Sequence, residues 1–342
     1  MDEPDDAVRR LPLVGRSAEL DDLDNLLAAA ASREGAVVLL EGEAGIGRTR
    51  LVEALAHGAE MLGVDLLPRR FPGPTADELD RLLDAPADRP RAVVLDDVHL
   101  ADGACLAVLT RFAHSGPLPA TLLVLTERPV PHRDAVAQMV VAWVRAGARN
   151  VELRPLAPSA VVELAEQLVG HPVGPMLRGV LSTAGGNPRL VTAVVEAAQH
   201  AGALRASGDG VVDIEGIGWQ DELDEVARTH IADLDPAVLG LLSRAAVLGP
   251  SFVVPDLAAL ADLPLTDCWR TLRHALAAGV VAARGDRLVF RHDLVRTALY
   301  AGLDPDTRRF LHGRAASTLG EAGAPPHVVA GHLERARSAG RA

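Results

Sequence analysis

The sequence predicts an α/β fold, a mainly parallel sheet covered by helices on both faces, followed by a helical stretch and a small helix-and-hairpin module. Three observations carry this expectation. Apolar runs at 36–41, 92–96 and 120–126, with a weaker one at 150–154, alternate with segments of helical spacing; buried parallel strands joined by helical crossovers read this way. A glycine-rich turn links the first run to a helix-compatible stretch. Beyond residue 155 the strand pattern fades and returns as a hairpin-like run at 280–290.

Taken in order, Ser17 is placed to cap a helix on which Leu20, Leu23, Leu27 and Ala30 share one face. The run Ala36-Val37-Val38-Leu39-Leu40 then enters Gly42-Glu43-Ala44-Gly45-Ile46-Gly47-Arg48-Thr49, and 51–55 continues as helix. The stretch 68–90, with five prolines and many charges, reads as a loop and a short helix. Leu106, Leu109 and Phe112 mark a helix after the second strand, and Val136, Met139, Val140 and Trp143 one after the third. Segments 159–169, 176–183 and 189–203 have helical spacing, broken by Gly170-His171-Pro172 and Gly185-Gly186-Asn187-Pro188. Residues 204–218 fit a hairpin or a surface loop, and 221–233 a helix. Three short helices at 237–248, 255–261 and 267–278, followed by the run 280–290, make a winged helix: three helices and a two-stranded wing. On the helix 267–278, Trp269, Leu272 and Leu276 read as core. The tail, 305–342, reads as two amphipathic helices around Gly323-Ala324-Pro325-Pro326.

Composition narrows the function. At 342 residues the chain has room for two or three domains. It is 49% apolar but only 3% aromatic, so its cores must rest on Leu, Val and Ala. All 34 basic side chains are arginine, which weakens any reading of a single arginine as selected in place of lysine. The net charge of -12 argues against a large nucleic-acid footprint. Asp2, Glu3, Asp5 and Asp6 make 1–11 an acidic, disordered tail. Cys105 and Cys268 lie far apart and outside metal-ligand spacing, so a reducing cytoplasm is the expected compartment. No signal segment is visible, and no apolar run is long enough to span a bilayer.

The chemistry gathers at two places. Residues 42–49 match G-x-x-x-x-G-K-[ST] except that Arg48 replaces the lysine. Such glycines let successive backbone N–H groups face one phosphate, and the following helix presents its positive end to the same anion. Val93-Val94-Leu95-Asp96-Asp97 is an apolar strand ending in two acids. That arrangement places one carboxylate near Mg²⁺ and a second near the attacking water. Thr49 and Asp96 are therefore the candidate metal residues, Thr49 through its hydroxyl and Asp96 directly or through a bound water, and Asp97 the candidate general base.

These residues resemble a known family. Val14-Gly15-Arg16-Ser17-Ala18-Glu19-Leu20, Gly42 through Thr49 with Arg50-Leu51, and Leu95-Asp96-Asp97-Val98-His99 recur in this order in STAND-type signalling ATPases. Thr126-Glu127-Arg128-Pro129, Gly186-Asn187-Pro188 and Phe290-Arg291-His292-Asp293-Leu294-Val295-Arg296 continue the series. The chain is most similar to the ATPase core of large ATP-binding LuxR-type regulators, relatives of the maltose activator, over roughly residues 12–320. The resemblance implies an ASCE/AAA-like P-loop domain at 12–155, a helical lid at 156–235, the winged helix at 236–302 and the start of a helical arm at 303–342. It implies that ATP or ADP is held by Val14, Gly15 and Arg16 at the adenine and ribose, and by Gly42, Ala44, Gly45, Ile46, Gly47, Arg48, Thr49 and Arg50 at the phosphates. Arg128 would sense the γ-phosphate, Pro188 would pack on the adenine, and His292 would reach the β-phosphate and hold an ADP-bound closed state. From the residues alone, Arg128 is also a solvated strand-end cation, Pro188 a helix breaker and His292 a packed core histidine. The family's helical sensor repeats and DNA-reading helix-turn-helix lie outside these residues.

Arg48 is the departure with consequences. A planar guanidinium fits the narrow gap between loop and phosphates less well than an ammonium. Losing one charge-assisted hydrogen bond costs about 1.5–3 kcal/mol, roughly 10- to 150-fold in affinity. Weakened binding and slow or lost hydrolysis are expected; the alternative is that Arg48 swings aside and the site works with little loss. The candidate recognition helix at 267–278 carries Arg270, Arg273 and His274 beside Asp267. Residues 236–290 hold five arginines against four aspartates, too little positive charge for direct DNA binding. The expected function is a nucleotide-dependent signalling switch that self-associates or binds a partner regulator. The rival is a degenerate, non-catalytic P-loop protein serving as an interaction module.

Overall fold

The computed structural model describes residues 13–116, 118–128, 133–216, 219–232 and 234–338. The tail 1–11 and Pro129 lie outside the described residues. The chain divides into two compact units, one ending at Ala160 and one beginning at Val161.

In the first unit, helices α1 (Ser17–Ala31), α2 (Arg48–Leu62), α3 (Ala76–Asp84), α4 (Gly103–Ser115) and α5 (Asp134–Arg145) alternate with strands. The strands are β1 (Ala36–Gly42), β2 (Asp65–Arg70), β3 (Arg91–Asp96), β4 (Thr121–Glu127) and β5 (Arg149–Leu153), in the order β2-β3-β4-β1-β5. Every pairing is parallel, so all five carboxyl ends lie on one edge. Alternation along the strands splits the core in two. Val37, Leu39, Val93, Leu95, Leu123 and Leu125 pack under α3, α4 and α5 with Phe112, Met139 and Trp143. Val38, Leu40, Val94, Leu122 and Val124 pack under α1 and α2 with Leu23, Leu27, Leu51 and Leu55. This is a parallel-sheet α/β P-loop core with helices on both faces.

Two local expectations fail. Strand β2 covers Asp65–Arg70, where the prolines and charges predict the start of a loop. It is the edge strand, where Pro68 forfeits no bond that the sheet requires. Ser17 does not cap α1; it is the first helical residue, and Arg16 occupies the cap position without a side-chain cap. The turn at Gly15, with φ 65, feeds the chain into the helix one residue earlier.

The second unit contains α7 (Pro175–Ser182), α8 (Pro188–His200), a hairpin of β6 (Leu204–Ala206) and β7 (Val212–Ile214), and α9 (Gln220–His230). Helix α6 (Pro158–Val169) leads into it. Then come α10 (Pro236–Leu248), β8 (Ser251–Phe252), α11 (Val254–Ala261) and α12 (Leu265–Ala277). Strands β9 (Val281–Arg284) and β10 (Arg287–Phe290) and helices α13 (Asp293–Ala301), α14 (Pro305–Glu321) and α15 (Pro326–Ser338) complete it. Strand β10 pairs antiparallel with both β9 and β8, so the hairpin gains a short third strand. Trp269, expected in the core, is 43% exposed. The buried face of α12 is Cys268, Leu272 and Ala275, and Trp269 lies one residue round the helix from that stripe. No helix among the described residues is long and apolar enough to cross a membrane.

Candidate functional site

Strand order creates the site. Strand β4 lies between β1 and β3, so Thr126 and Glu127 stand between the glycine-rich loop that follows β1 and the acids that end β3. A crevice outside the carboxyl ends of parallel strands is where such folds bind ligands.

The loop has the backbone its glycines allow. Gly45 and Gly47 hold positive φ of 79 and 104, and Gly47 caps α2 in the left-handed region. A Cβ built on Gly42 would sit 2.5 Å from the Ile46 methyl, whereas one on Gly47 meets nothing within 4 Å. The loop is thus closed on its strand side and open at the start of α2. Arg16 braces it from behind. Its Nη2 donates to the carbonyls of Ile46 at 3.3 Å and Arg154 at 2.6 Å, and its Nη1 pairs with Glu19 at 3.0 Å. Val14 is buried, and the Gly15 turn lies so close to Ala160 that a Cβ there would come within 2.8 Å of it. Arg50, the third residue of α2, pairs with Glu53 at 3.2 Å.

Arg48 turns inward and is only 8% exposed. Its Nη2 donates to Asp97 Oδ1 at 3.1 Å, while its Nη1 is buried with no hydrogen-bond partner among the described residues. Burial lowers its pKa, Asp97 acts against that, and the nearby Arg128 guanidinium lowers it further. The other Asp97 oxygen accepts from Arg70 Nε at 3.2 Å and Nη2 at 3.1 Å. Asp97 itself is left-handed at φ 57 and ψ 43, and its N–H donates to Thr126 Oγ1 at 2.9 Å. The Thr126 hydroxyl donates in turn to Asp96 Oδ1. Thr49 Oγ1 lies 3.5 Å from Asp96 Oδ2, longer than an ordinary hydroxyl–carboxylate bond.

Two further groups enclose this cluster. Burial, reinforced by Glu41 on the neighbouring strand and offset by Arg48, raises the Glu127 carboxyl to about 7. Arg128 is half-buried, and its Nε has no partner among the described residues. The structure therefore brings together Arg48, Thr49, Asp96, Asp97 and Arg128 and adds Arg70, Thr126 and Glu127. Arg70 carries no motif; only the register Arg70↔Asp96 between β2 and β3 reveals it.

The donor set fits the groups it is expected to hold. A hydroxyl and a carboxylate, Thr49 and Asp96, are hard oxygen donors of the kind Mg²⁺ takes alongside substrate phosphates. The buried Arg48 Nη1, without a partner among the described residues and beside an open loop, suits an anion's oxygen.

Pro188 and His292 lie in the second unit. Pro188 is the first residue of α8, whose N-terminus Asn187 caps by accepting from the Arg189 and Leu190 amides. His292 is 1% exposed, with Nδ1 2.9 Å from the Ala184 carbonyl and its ring edge-on to His230 at 5.3 Å. Burial, helped by Arg291 and opposed by the Ala184 bond, brings its pKa down to about 4, so it is neutral at pH 7. A Cβ at Gly185 would meet the Arg291 carbonyl at 2.2 Å and His292 Nδ1 at 2.7 Å, so the turn before Pro188 and His292 are packed as one piece.

No curated protein matches the chain. Among solved structures, the Walker-type ATPase PABY2304 of Pyrococcus abyssi superposes with a TM-score of 0.59 at 14% identity, covering 85% of this chain and 97% of that one. The Aeropyrum pernix ORC2 protein, solved in ADPNP–ADP complexes, gives 0.53 at 16% identity, covering 84% and 95%. The Thermotoga maritima RuvB Holliday junction branch migration motor gives 0.45 at 17% identity, covering 81% and 92%. Residues 12–64 match the family model of the AAA ATPase domain, the stretch that contains the 14–16 turn and the whole phosphate loop.

Proposed function

We propose that the protein is a nucleotide-dependent signalling switch, the ATPase core of a LuxR-type transcriptional regulator, whose hydrolysis Arg48 weakens. One observation carries the reading. An open glycine-lined loop, a buried guanidinium whose Nη1 has no partner among the described residues, and a threonine–aspartate pair converge on one edge of a parallel sheet. Thr49 and Asp96 would hold Mg²⁺, which neutralises phosphate charge when bound. The loop amides and Arg48 would orient the phosphates, and Arg128 would respond to the γ-phosphate. Residues 156–235 would serve as a helical lid presenting Pro188 to the adenine, and 236–302 as a winged helix presenting His292 to the β-phosphate. That module would clamp nucleotide and leave DNA to other segments. The output would be self-association or the binding of a partner regulator in the cytoplasm.

The two arginines on Asp97 favour a second reading, an inert P-loop scaffold that binds other proteins. Nucleotide released on denaturing the purified protein separates them. Stoichiometric ADP or ATP, with a melting temperature raised by Mg·ADP, supports the switch. No released nucleotide and an unmoved melting temperature would leave only the scaffold.

A further inference from the structure

Arg48 is the phosphate-loop cation, yet half of its guanidinium is committed elsewhere. Nη2 donates to Asp97 Oδ1 at 3.1 Å, and Arg70 covers Oδ2 from the opposite side. Asp97 and Arg48 are 4% and 8% exposed, whereas the Arg70 side chain is 71% exposed. The Arg70 contact can therefore open into water, while the Arg48 contact cannot open without stranding a buried charge. A carboxylate acts as a general base only when one oxygen faces the water whose proton it takes. Here the oxygen on the loop side already faces a guanidinium held by the first turn of α2.

We infer that the Arg48–Asp97 ion pair is a built-in brake, which disables Asp97 as a base and makes this a site that retains nucleoside triphosphate unhydrolysed. This deepens the nucleotide-switch reading and rests on it. The physical reason is the shape of the side chain. A lysine has one nitrogen, and committing it to phosphate leaves Asp97 free. An arginine has two η nitrogens, so Nη1, buried and unpaired among the described residues, serves the phosphate while Nη2 keeps Asp97. Arg48 is thus a positioning residue acting through Asp97, and its effect on turnover differs in cause from a loose fit to phosphate. Loose fit lowers nucleotide affinity. A brake leaves affinity in place and changes which nucleotide is found bound.

The test is a double-mutant cycle on the full chain with Arg48→Lys, Asp97→Asn and the pair, each checked for folding by circular dichroism. After incubation with Mg·ATP and removal of free ligand, the bound nucleotide is released and identified, and turnover is measured in parallel. Wild type should retain ATP. Arg48→Lys should retain ADP and turn over faster, by about the 10²–10⁴-fold that a general base supplies. Asp97→Asn should slow Arg48→Lys far more than it slows the wild type, so the double variant loses the gain and the two changes are non-additive. The brake is refuted if Asp97→Asn slows the wild type by as large a factor as it slows Arg48→Lys, if the double variant is as fast as Arg48→Lys, or if Arg48→Lys still retains ATP. Should Asp97→Asn fail to fold, the nucleotide retained by Arg48→Lys decides alone. Absence of any bound nucleotide in both wild type and Arg48→Lys overturns the switch reading itself, a result distinct from failure of the brake.

Discussion

One hydroxyl ties the two acids of the site together. Thr126 is fully buried; it accepts the Asp97 N–H at 2.9 Å and donates to Asp96. Asp97 sits at φ 57, a conformation that costs free energy in a non-glycine residue and persists only where neighbours hold it. Replacing Thr126 by isosteric valine strands that buried N–H, and an unmet buried donor costs about 1–3 kcal/mol. Urea unfolding should show Thr126→Val destabilised by that amount and Thr126→Ser close to wild type; equal loss in both would mean the methyl, not the hydroxyl, matters. Glu127, beside it, makes stability depend on pH. Its folded-state pKa of about 7 lies above the ordinary 4.5, because burial and then Glu41 disfavour the anion. From about pH 4.5 to 7 the folded chain keeps a proton that the unfolded chain has lost, so stability falls as pH rises and levels off above 7. The fall is of order 3 kcal/mol. Glu127→Gln should remove it, and parallel wild-type and variant curves from pH 5 to 8 would exclude Glu127 as its source.

At the scale of elements, the two terminal helices carry a second titration. Helix α15 docks on α14 through His332 and His312, whose Nδ1 atoms are 2.9 Å apart, and the Tyr300 hydroxyl lies 2.9 Å from His312 Nε2. Burial first, then His332 and Arg335, bring His312 from 6.5 to about 4; burial and then Arg335 also lower His332. The stability these neutral rings provide is present above about pH 6.5 and lost as pH falls toward 4, because the unfolded chain takes up protons first. Two cationic rings also cannot share the Nδ1–Nδ1 bond. Hydrogen exchange corrected for intrinsic rate should show α15 amides opening at pH 5 before those of β1 or β4, and His332→Leu should blunt the effect. Uniform exchange across both units would show that the pair is no weak point. How legible each element was follows from how it is buried. Strands β1, β3 and β4 are covered on both faces and announce themselves as apolar runs. Edge strand β2 is half-exposed and interrupted by Pro68, Arg69 and Arg70, so no periodicity marks it. For the same reason the loop and the paired aspartates are readable as motifs, whereas Arg70 joins the site only through strand register, and the part played by Thr126, itself within a quoted motif, shows only in its hydroxyl's bonds to both acids. Trp269 shows the converse limit, since a large apolar residue one step off a buried stripe reads as core until the helix is oriented.

At the scale of the whole chain, a switch requires nucleotide to bind one arrangement of the two units more tightly than another. The candidate carrier of that difference in the second unit is His292, neutral, buried and packed with the Gly185 turn that precedes Pro188. A neutral imidazole has one N–H, and donating it from Nδ1 to the Ala184 carbonyl leaves Nε2 an acceptor, so His292 can bond a β-phosphate oxygen only in an arrangement that protonates the ring or releases Nδ1–H from Ala184. On the proposed reading, its interaction with the β-phosphate belongs to the ADP-bound state alone. Replacement by asparagine keeps a short polar group beside Ala184 and withdraws the imidazole. Losing a hydrogen bond to a charged group costs about 1.5–3 kcal/mol, so ADP affinity of His292→Asn should fall roughly 10-fold or more. Affinity for a non-hydrolysable ATP analogue should stay within about twofold, well under the 1.4 kcal/mol that marks a tenfold change. Isothermal titration of each nucleotide measures both, and their ratio is insensitive to any general loss of stability from altering a buried residue. If both affinities fall together, or neither moves, His292 is a packing residue of the second unit, and the ADP-specific latch must be sought on other side chains.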